Sequence, residues 1–314
     1  MSLTNKIVLI IGLILYQSVS ATKYAGDFEE FGVSARAIGL GGAYVAVVED
    51  PSAIYYNPGA SVRIKKTSIL LMHAESFGGV VMNNFLGMVI PGANQSFGLG
   101  VLHNGVPGIK LTTVPDTTQP PSDTNRPYPK DTVNANHLVF YLNYSHRLLP
   151  NFQLGTNAKL IYQTYGVSSC FGMGVDIGGV LTLFDGFRLG LRIRNLTTSP
   201  LFWATNNRES ILPRFAFGLA RTFTIGQDQL LLSLELEGNT EPNLADQRWL
   251  ENFGIEYVFK NLLAVRFGMY HRLITFGLGI NYKRFFIDYS YQSGYFNQSR
   301  DLGGSQRISG GLKF

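Results

Sequence analysis

The sequence predicts an all-β chain: a transmembrane antiparallel β-barrel of about fourteen strands with an N-terminal plug segment in its lumen. Three observations carry this. Apolar and polar residues alternate with a period of two from residue 67 onward, the mark of strands. Connections alternate in length: residues 92–95, 148–151, 184–185, 226–227, 260–261 and 284 are tight turns, whereas 105–133, 196–211 and 295–303 are long loops on the opposite side. Aromatic residues gather at the strand ends beside the short turns, among them Phe152, Phe184, Phe187, Phe223, Tyr257, Phe259, Tyr282, Phe285 and Phe314. Short periplasmic turns, longer external loops and interfacial aromatics describe an outer-membrane barrel. A soluble sandwich has no reason to keep that parity.

Composition agrees. Hydrophobic residues make up 45 % of the chain but charged residues only 15 %, against about 25 % in ordinary soluble domains. No apolar run after residue 21 is long enough for a membrane helix of about 20 residues. The apolar surface is instead spread over many strands.

The elements follow in order. Residues 1–21, "MSLTNKIVLIIGLILYQSVSA", combine one lysine, an apolar run and a small-residue ending, the pattern of a signal peptide. The mature chain is expected from Thr22, outside the cytoplasm. Residues 22–66 do not alternate and form the expected plug or hatch. Their place ahead of strand one puts the start of the segment at the periplasmic mouth. Residues 67–314 form the barrel, with segments centred on 67–75, 83–91, 96–104, 134–147, 152–163, 169–183, 186–195, 212–225, 228–239, 247–259, 262–271, 273–283, 285–294 and 304–314.

Facing is set by the alternation. "LITFGLGINYK" puts Ile274, Phe276, Leu278, Ile280 and Tyr282 on one face. "DQLLLSLELEGN" and "FRLGLRIRN" do the same with leucines opposed to Glu235 and Glu237, and to Arg188, Arg192 and Arg194. Arginine or lysine at the lipid midplane costs about 2–4 kcal/mol. Arg188, Arg192, Arg194, Glu235, Glu237, Glu256, Arg266, Asp288 and Arg307 are therefore expected in the lumen, and their mixed signs suggest pairing. Strand three, "SFGLGVLHNGVPG", carries Gly98 and Gly100; glycine weakens a strand and permits bulges, so an opening in the wall is considered there. The last segment, "RISGGLKF", ends on an aromatic residue in mid-strand, resembling the carboxy-terminal signal of inserted outer-membrane barrels.

Several chemistries are excluded. The net charge of +5 is not gathered into a basic run, so nucleic acid is a poor partner. The single cysteine, Cys170, cannot form an internal disulfide and reads as an apolar filler. The five histidines are scattered, and His103, His137, His146 and His271 show no spacing suited to catalysis or a metal. Neither an enzyme nor a cofactor is expected.

The stretch "SARAIGLGGAYVAVVEDPSAIYYNPGA" has clustered glycines and an acidic pair, yet it fails the tests for a phosphate or metal site. It lacks the Gly-Lys-Ser/Thr ending of a Walker A loop, and no βαβ unit follows. Glu49 and Asp50 have no further clustered ligands. The residues have packing reasons instead: Gly39, Gly41 and Gly42 allow close backbone approach, and Asn57-Pro58 begins a turn toward strand one. Arg36, Glu49 and Asp50 are expected to find partners among the lumen charges.

The same stretch resembles the N-terminal signature of the FadL-like outer-membrane transporter superfamily, which includes the PorV/PorQ proteins of type IX secretion. The shared features are Gly39, Gly41, Gly42 and Ala43, then Asp50 with Ser52 and Ala53, then Tyr56-Asn57-Pro58. The family usually reads Asn-Pro-Ala where this chain has Asn-Pro-Gly-Ala. The resemblance covers about 26 residues and implies a fourteen-stranded barrel with an N-terminal hatch, in contact with outer-membrane lipid. It implies passage of a small hydrophobic ligand or, like PorV, work with secretion-system proteins and their substrates at the cell surface.

Overall fold

A computed structural model describes residues 25–166, 168–184, 186–240, 249–294 and 303–314. The expected signal peptide, 1–21, lies outside the described residues, as does most of the loop 295–303.

Among the described residues, sixteen strands form one antiparallel sheet. They are β1 Ser68–Ser76, β2 Val81–Pro91, β3 Gln95–Thr113, β4 Tyr128–Leu149, β5 Phe152–Tyr165, β6 Ser168–Thr182, β7 Phe187–Arg194, β8 Ser199–Trp203, β9 Arg208–Ile211, β10 Arg214–Ile225, β11 Asp228–Asn239, β12 Trp249–Phe259, β13 Leu263–Tyr270, β14 Leu273–Tyr282, β15 Phe285–Gln292 and β16 Ser305–Lys313. Fourteen of them close into a barrel. Neighbours pair in sequence, β7 pairs with β10, and β16 returns to β1, with Ile69 opposite Leu312. β8 and β9 are a hairpin standing on the far end of β6.

The alternation that makes these strands also sorts their faces. Phe276, Leu278 and Ile280 are exposed on the outside, while Thr275 is buried inside. Aromatics such as Phe184, Tyr282, Phe285 and Phe314 stand exposed at the rim of short turns. An outside this apolar needs lipid around it; the chain is an outer-membrane-type barrel.

The two rims differ. At one, the turn end, the connections are short, as at 150–151 and 226–227. The long connections lie at the other, the loop end, together with tight ones that include 77–80 and 271–272. The long loop expected at 105–133 is shorter than that. β3 and β4 continue as a ribbon and leave 114–127 as the loop proper. The ribbon's register shifts between Val106 and Ile109, where Pro107 cannot donate and Gly108 takes φ +72°. The loop expected at 196–211 holds the β8–β9 hairpin.

Residues 25–66 fill the lumen. They contain two short helices, α1 Ala35–Gly39 and α2 Ala53–Tyr56, and two 3₁₀ turns, Asp27–Glu29 and Pro58–Arg63. Ser34 caps α1 by accepting from the Ala37 amide at 3.4 Å. Asn57 caps the second 3₁₀ turn by accepting from Gly59, and Pro58 opens that turn where no amide is needed. The hydrophobic core sits here. Tyr44, Ile54 and Tyr56 of the plug pack with Leu70, Phe85, Leu102, Val139 and Ile161 of the wall.

The path of the plug corrects one expectation. The described segment starts at the loop end, where Gly26 meets Ile211 and Phe31 stacks edge-on with Phe77. It leaves at the turn end just before β1. Position in the sequence fixes where the plug exits and says nothing about where it enters.

Candidate functional site

The candidate site is the plug in its seat. Its first support is close backbone contact. Gly41 takes φ +61°, and a Cβ there would lie 2.3 Å from the Phe253 carbonyl oxygen. Gly42 beside it takes φ +74° and lies against the Tyr270 ring. Both needs are met only by glycine. Gly39 faces Gly277 of β14, where a Cβ would stand 3.0 Å from the opposite Cα.

Its second support is a set of ion pairs between plug and wall. The Arg36 Nη2 lies 2.6 Å from Glu256 Oε1, and its Nε donates to Oε2 at 2.9 Å. The same carboxylate takes Arg266 Nε at 2.5 Å, and Arg266 Nη1 reaches Asp288 at 2.7 Å. Glu49 accepts from Arg188 of β7 at 2.6 Å and from Arg63 at 2.9 Å. Arg192 of β7 pairs with Glu237 of β11 at 3.1 Å and donates to the Tyr56 carbonyl at 3.2 Å. An unpaired charge in such a place is expensive, which is why the two signs interleave.

The remaining contacts are single charges on polar plug atoms. Glu235 accepts from the amides of Tyr44 and Val45 at 2.7 and 2.8 Å. Arg194 donates to the Glu29 carbonyl at 2.9 Å and lies 3.9 Å over the Tyr55 ring. Arg307 donates to the Phe31 carbonyl at 2.6 Å. Asp50 stays within the plug, accepting from Ser52 and from the Tyr44 hydroxyl at 2.7 Å. The Asn57 amide donates to Val45 and to Gly179 of β6, and Asn143 of β4 donates to the Pro58 carbonyl.

Sequence reasoning missed one cluster. Lys159 of β5 is fully buried, 2.5 Å from Glu29 and 3.1 Å from Asp176. Arg214 and Glu30 form a further pair at the loop end. The signal for Lys159 was present: Leu160 and Tyr162 point to lipid, so the odd positions of that strand point inward.

Gly98 and Gly100 do not open the wall. The ladder is unbroken there, with Gly98 between Val89 and Asn143, and Gly100 between Gly87 and Tyr141. Their missing side chains make room for Ile54 of α2, whose atoms lie 3.0–3.1 Å from the added Cβ positions.

Cavities lie above and below the plug. A cavity of about 290 Å³ opens at the loop end, lined by Phe31, Phe77, Tyr270, Leu273, Gln292 and Arg307 among others. Two of about 390 and 520 Å³ open at the turn end; the first is lined by Arg36, Glu256 and Asp288, the second by Arg63, Lys65, Lys66 and Arg147, and both touch Glu49 and Lys313. Between them, beside Tyr55 and Arg194, is a water-sized space of about 20 Å³. The plug stands between the loop-end cavity and the two at the turn end.

No family model matches the chain. No curated protein matches it either. Solved structures do. The Ralstonia pickettii toluene transporter TbuX is similar with a TM-score of 0.58 at 12 % identity, covering 90 % of this chain and 98 % of that one. The Pseudomonas putida toluene transporter TodX gives 0.57 at 11 % identity, covering 90 % and 97 %. A Pseudomonas aeruginosa FadL homologue gives 0.52 at 13 % identity, covering 90 % and 98 %. The chain shares the fold of these outer-membrane barrels along nearly its whole described length. Two of these three are toluene transporters and the third is a FadL homologue.

Proposed function

We propose that the protein is an outer-membrane channel for small hydrophobic compounds, opened by movement of its plug. The observation that carries this is a fold shared over nine-tenths of the chain with toluene transporters, together with a half-apolar cavity at the loop end that stops at the plug. In this reading a signal peptide of residues 1–21 is removed, residues 22–66 are the hatch and residues 67–314 the wall. Arg36, Glu49 and Asn57-Pro58 hold the hatch, Asp50 braces it from within, and the nine lumen charges named above are its seat. A compound entering past Phe31 and Phe77 leaves only when those contacts are released.

The test is uptake of toluene, as the probe, by intact cells whose lipopolysaccharide-bearing outer membrane slows its entry, with and without the protein, beside planar-bilayer recording of the purified barrel and of a variant lacking residues 22–60. Faster toluene entry into cells that carry the protein, and a higher ion conductance in the deletion variant, are expected. Equal entry with and without the protein overturns the channel reading. Unchanged conductance in a folded deletion variant overturns the hatch reading.

A second reading, a PorV/PorQ-like carrier in type IX secretion, is favoured by the filled lumen, which a scaffold would keep. Recovery of a secreted polypeptide with the barrel from native outer membranes, with no toluene entry, is the outcome that favours it.

A further inference from the structure

The mouth at the turn end holds more positive charge than its carboxylates can use. Glu49 is committed to Arg63 and Arg188, Glu256 to Arg36 and Arg266, and Asp288 to Arg266. Four further cations stand around the place where the plug leaves the barrel. They are Lys65 and Lys66 of the exit segment, Arg147 near the end of β4 and Lys313 at the end of β16. Among the described residues none of the four forms an ion pair, and Lys313 has only the face of Phe286 at 5.3 Å.

These charges do not spread outward as a solvated rim would. They converge, together with Arg63, on the cavity of about 520 Å³. Strand alternation puts them there. Arg147 keeps the inward parity of buried Asn143 and Ser145, and Lys313 keeps that of buried Ser309. The exit segment runs between them. A concave space lined by one sign of charge focuses the field and draws in a counter-ion.

The polar groups beside the cations are donors too. Gln153 lines the same cavity and is 4 % exposed, and its side-chain oxygen has no partner among the described residues. Such an amide can be turned to offer its NH₂. Thr182 receives Arg63 at 3.4 Å, which leaves its own hydroxyl proton to give. A ligand that meets this set must accept on several sides and carry negative charge. A carboxylate presents its two oxygens in one plane. A phosphate spreads its oxygens tetrahedrally and can meet cations that come from three separate segments at once. The volume matches a small-molecule site of about 300–1,000 Å³, so there is room for what the phosphate is attached to.

We propose that this cavity binds a phosphate ester at the periplasmic mouth of the barrel, where the short turns lie. Two sources carry that group. One is a soluble phosphorylated compound in the periplasm. The other is the headgroup of an anionic lipid in the adjoining leaflet, leaning in over Pro150, which borders the cavity. Nothing in the site depends on which compound the barrel passes.

Calorimetric titration of the purified barrel with glycerol phosphate reads the soluble source. Native mass spectrometry of the barrel released from phosphatidylcholine nanodiscs with a small share of phosphatidylglycerol reads the lipid source. Binding in at least one arm is expected, seen in the second as retention of phosphatidylglycerol over phosphatidylcholine. Lys65→Gln/Lys66→Gln/Arg147→Gln removes three charged donors and is expected to weaken that binding by about tenfold or more. Gln153→Leu keeps every charge and is expected to weaken it by about threefold or more. Lys110→Gln/Lys130→Gln, on the exposed β3–β4 ribbon at the other rim, should bind like the parent. Heat-shifted gel migration shows whether each variant is folded, and Arg147→Gln alone serves if the triple variant does not insert. Absence of binding in both arms overturns the proposal. So does binding that the triple variant keeps, or a loss that the ribbon variant shares. Binding that Gln153→Leu leaves unchanged also overturns it, because general attraction to charge would then account for the rest.

Discussion

Replacing Glu256 by glutamine should loosen the plug more than any other single change of charge at the seat. Glu256 receives Arg36 through both oxygens at 2.6 and 2.9 Å, and Arg266 at 2.5 Å. Its side chain is 3 % exposed, and those of Arg36 and Arg266 are 23 % and 2 % exposed. The variant keeps the shape and removes the charge. Arg266 retains Asp288 at 2.7 Å, so its loss is partial. Arg36 keeps the neutral glutamine oxygen, the face of Tyr44 at 5.8 Å and the more distant charges of Glu49, Asp50 and Asp288 around the same cavity. Removing one partner of a buried pair costs about 3–5 kcal/mol. The partial exposure of Arg36 and the spare partner of Arg266 argue for the lower figure, about 3 kcal/mol. At 1.4 kcal/mol per tenfold, that shifts the seated–unseated balance roughly 100-fold. A plug unseated about 0.1 % of the time would then be unseated about 10 % of the time. Planar-bilayer recording reads this directly: frequent conductance bursts in Glu256→Gln, rare ones in the parent. The exposed pair partner Glu75→Gln is the control and should record like the parent. If Glu256→Gln shows neither more bursts nor a lower melting temperature, the Arg36 contact does not hold the plug.

Gly41→Ala should fail to seat the plug, because the methyl would fall 2.3 Å from a wall carbonyl at a backbone angle alanine resists; a conductance and melting temperature equal to the parent's would refute this. Lys159→Met should lower the melting temperature by several degrees, since it leaves Glu29 and Asp176 buried without their cation. Lys110→Met, on an exposed part of the β3–β4 ribbon, should change it little. The third prediction concerns pH at the turn end. Burial raises the Glu49 carboxyl, but Arg188 and Arg63 outweigh it and hold the group below its ordinary value. A depressed carboxyl stabilises above its unfolded value, and that contribution is lost as pH falls through the folded one. The parent's conductance should therefore rise in acid below about pH 4.5 more than that of Glu49→Gln. The side chain is 47 % exposed, so the difference should shrink in high salt. Parallel pH curves for the two proteins would refute the assignment.

The barrel was legible because one physical rule, the two-residue period, writes itself on every strand. "LITFGLGINYK" needs no neighbour to show its two faces. The hairpin of β8 and β9 was hidden because "SPLFW" and "RESI" are too short to show a period and carry a proline. The β3–β4 ribbon was hidden by Pro107 and Gly108, which read as a loop and turned out to be an irregularity within a ladder. Gly98 and Gly100 were misread because a glycine that thins a wall and one that admits a neighbour's side chain look the same in a sequence; only Ile54 tells them apart. The pairing of Arg36 with Glu256 could not be derived from sequence, because it joins positions 220 residues apart and depends on how far α1 descends. The inward side of Arg36's partners was readable; their identity was not.

The plug enters at one rim and leaves at the other, and β1 follows it directly. The chain is therefore threaded through a ring made of its own later part. A thread with a free leading end can pass through the ring before or after the β1–β16 seam closes, and it can be drawn back toward the turn end, where it is tethered to β1. A compact domain fused ahead of residue 25 would remove that freedom: once on the far side of a closed ring, it would lock the thread in place.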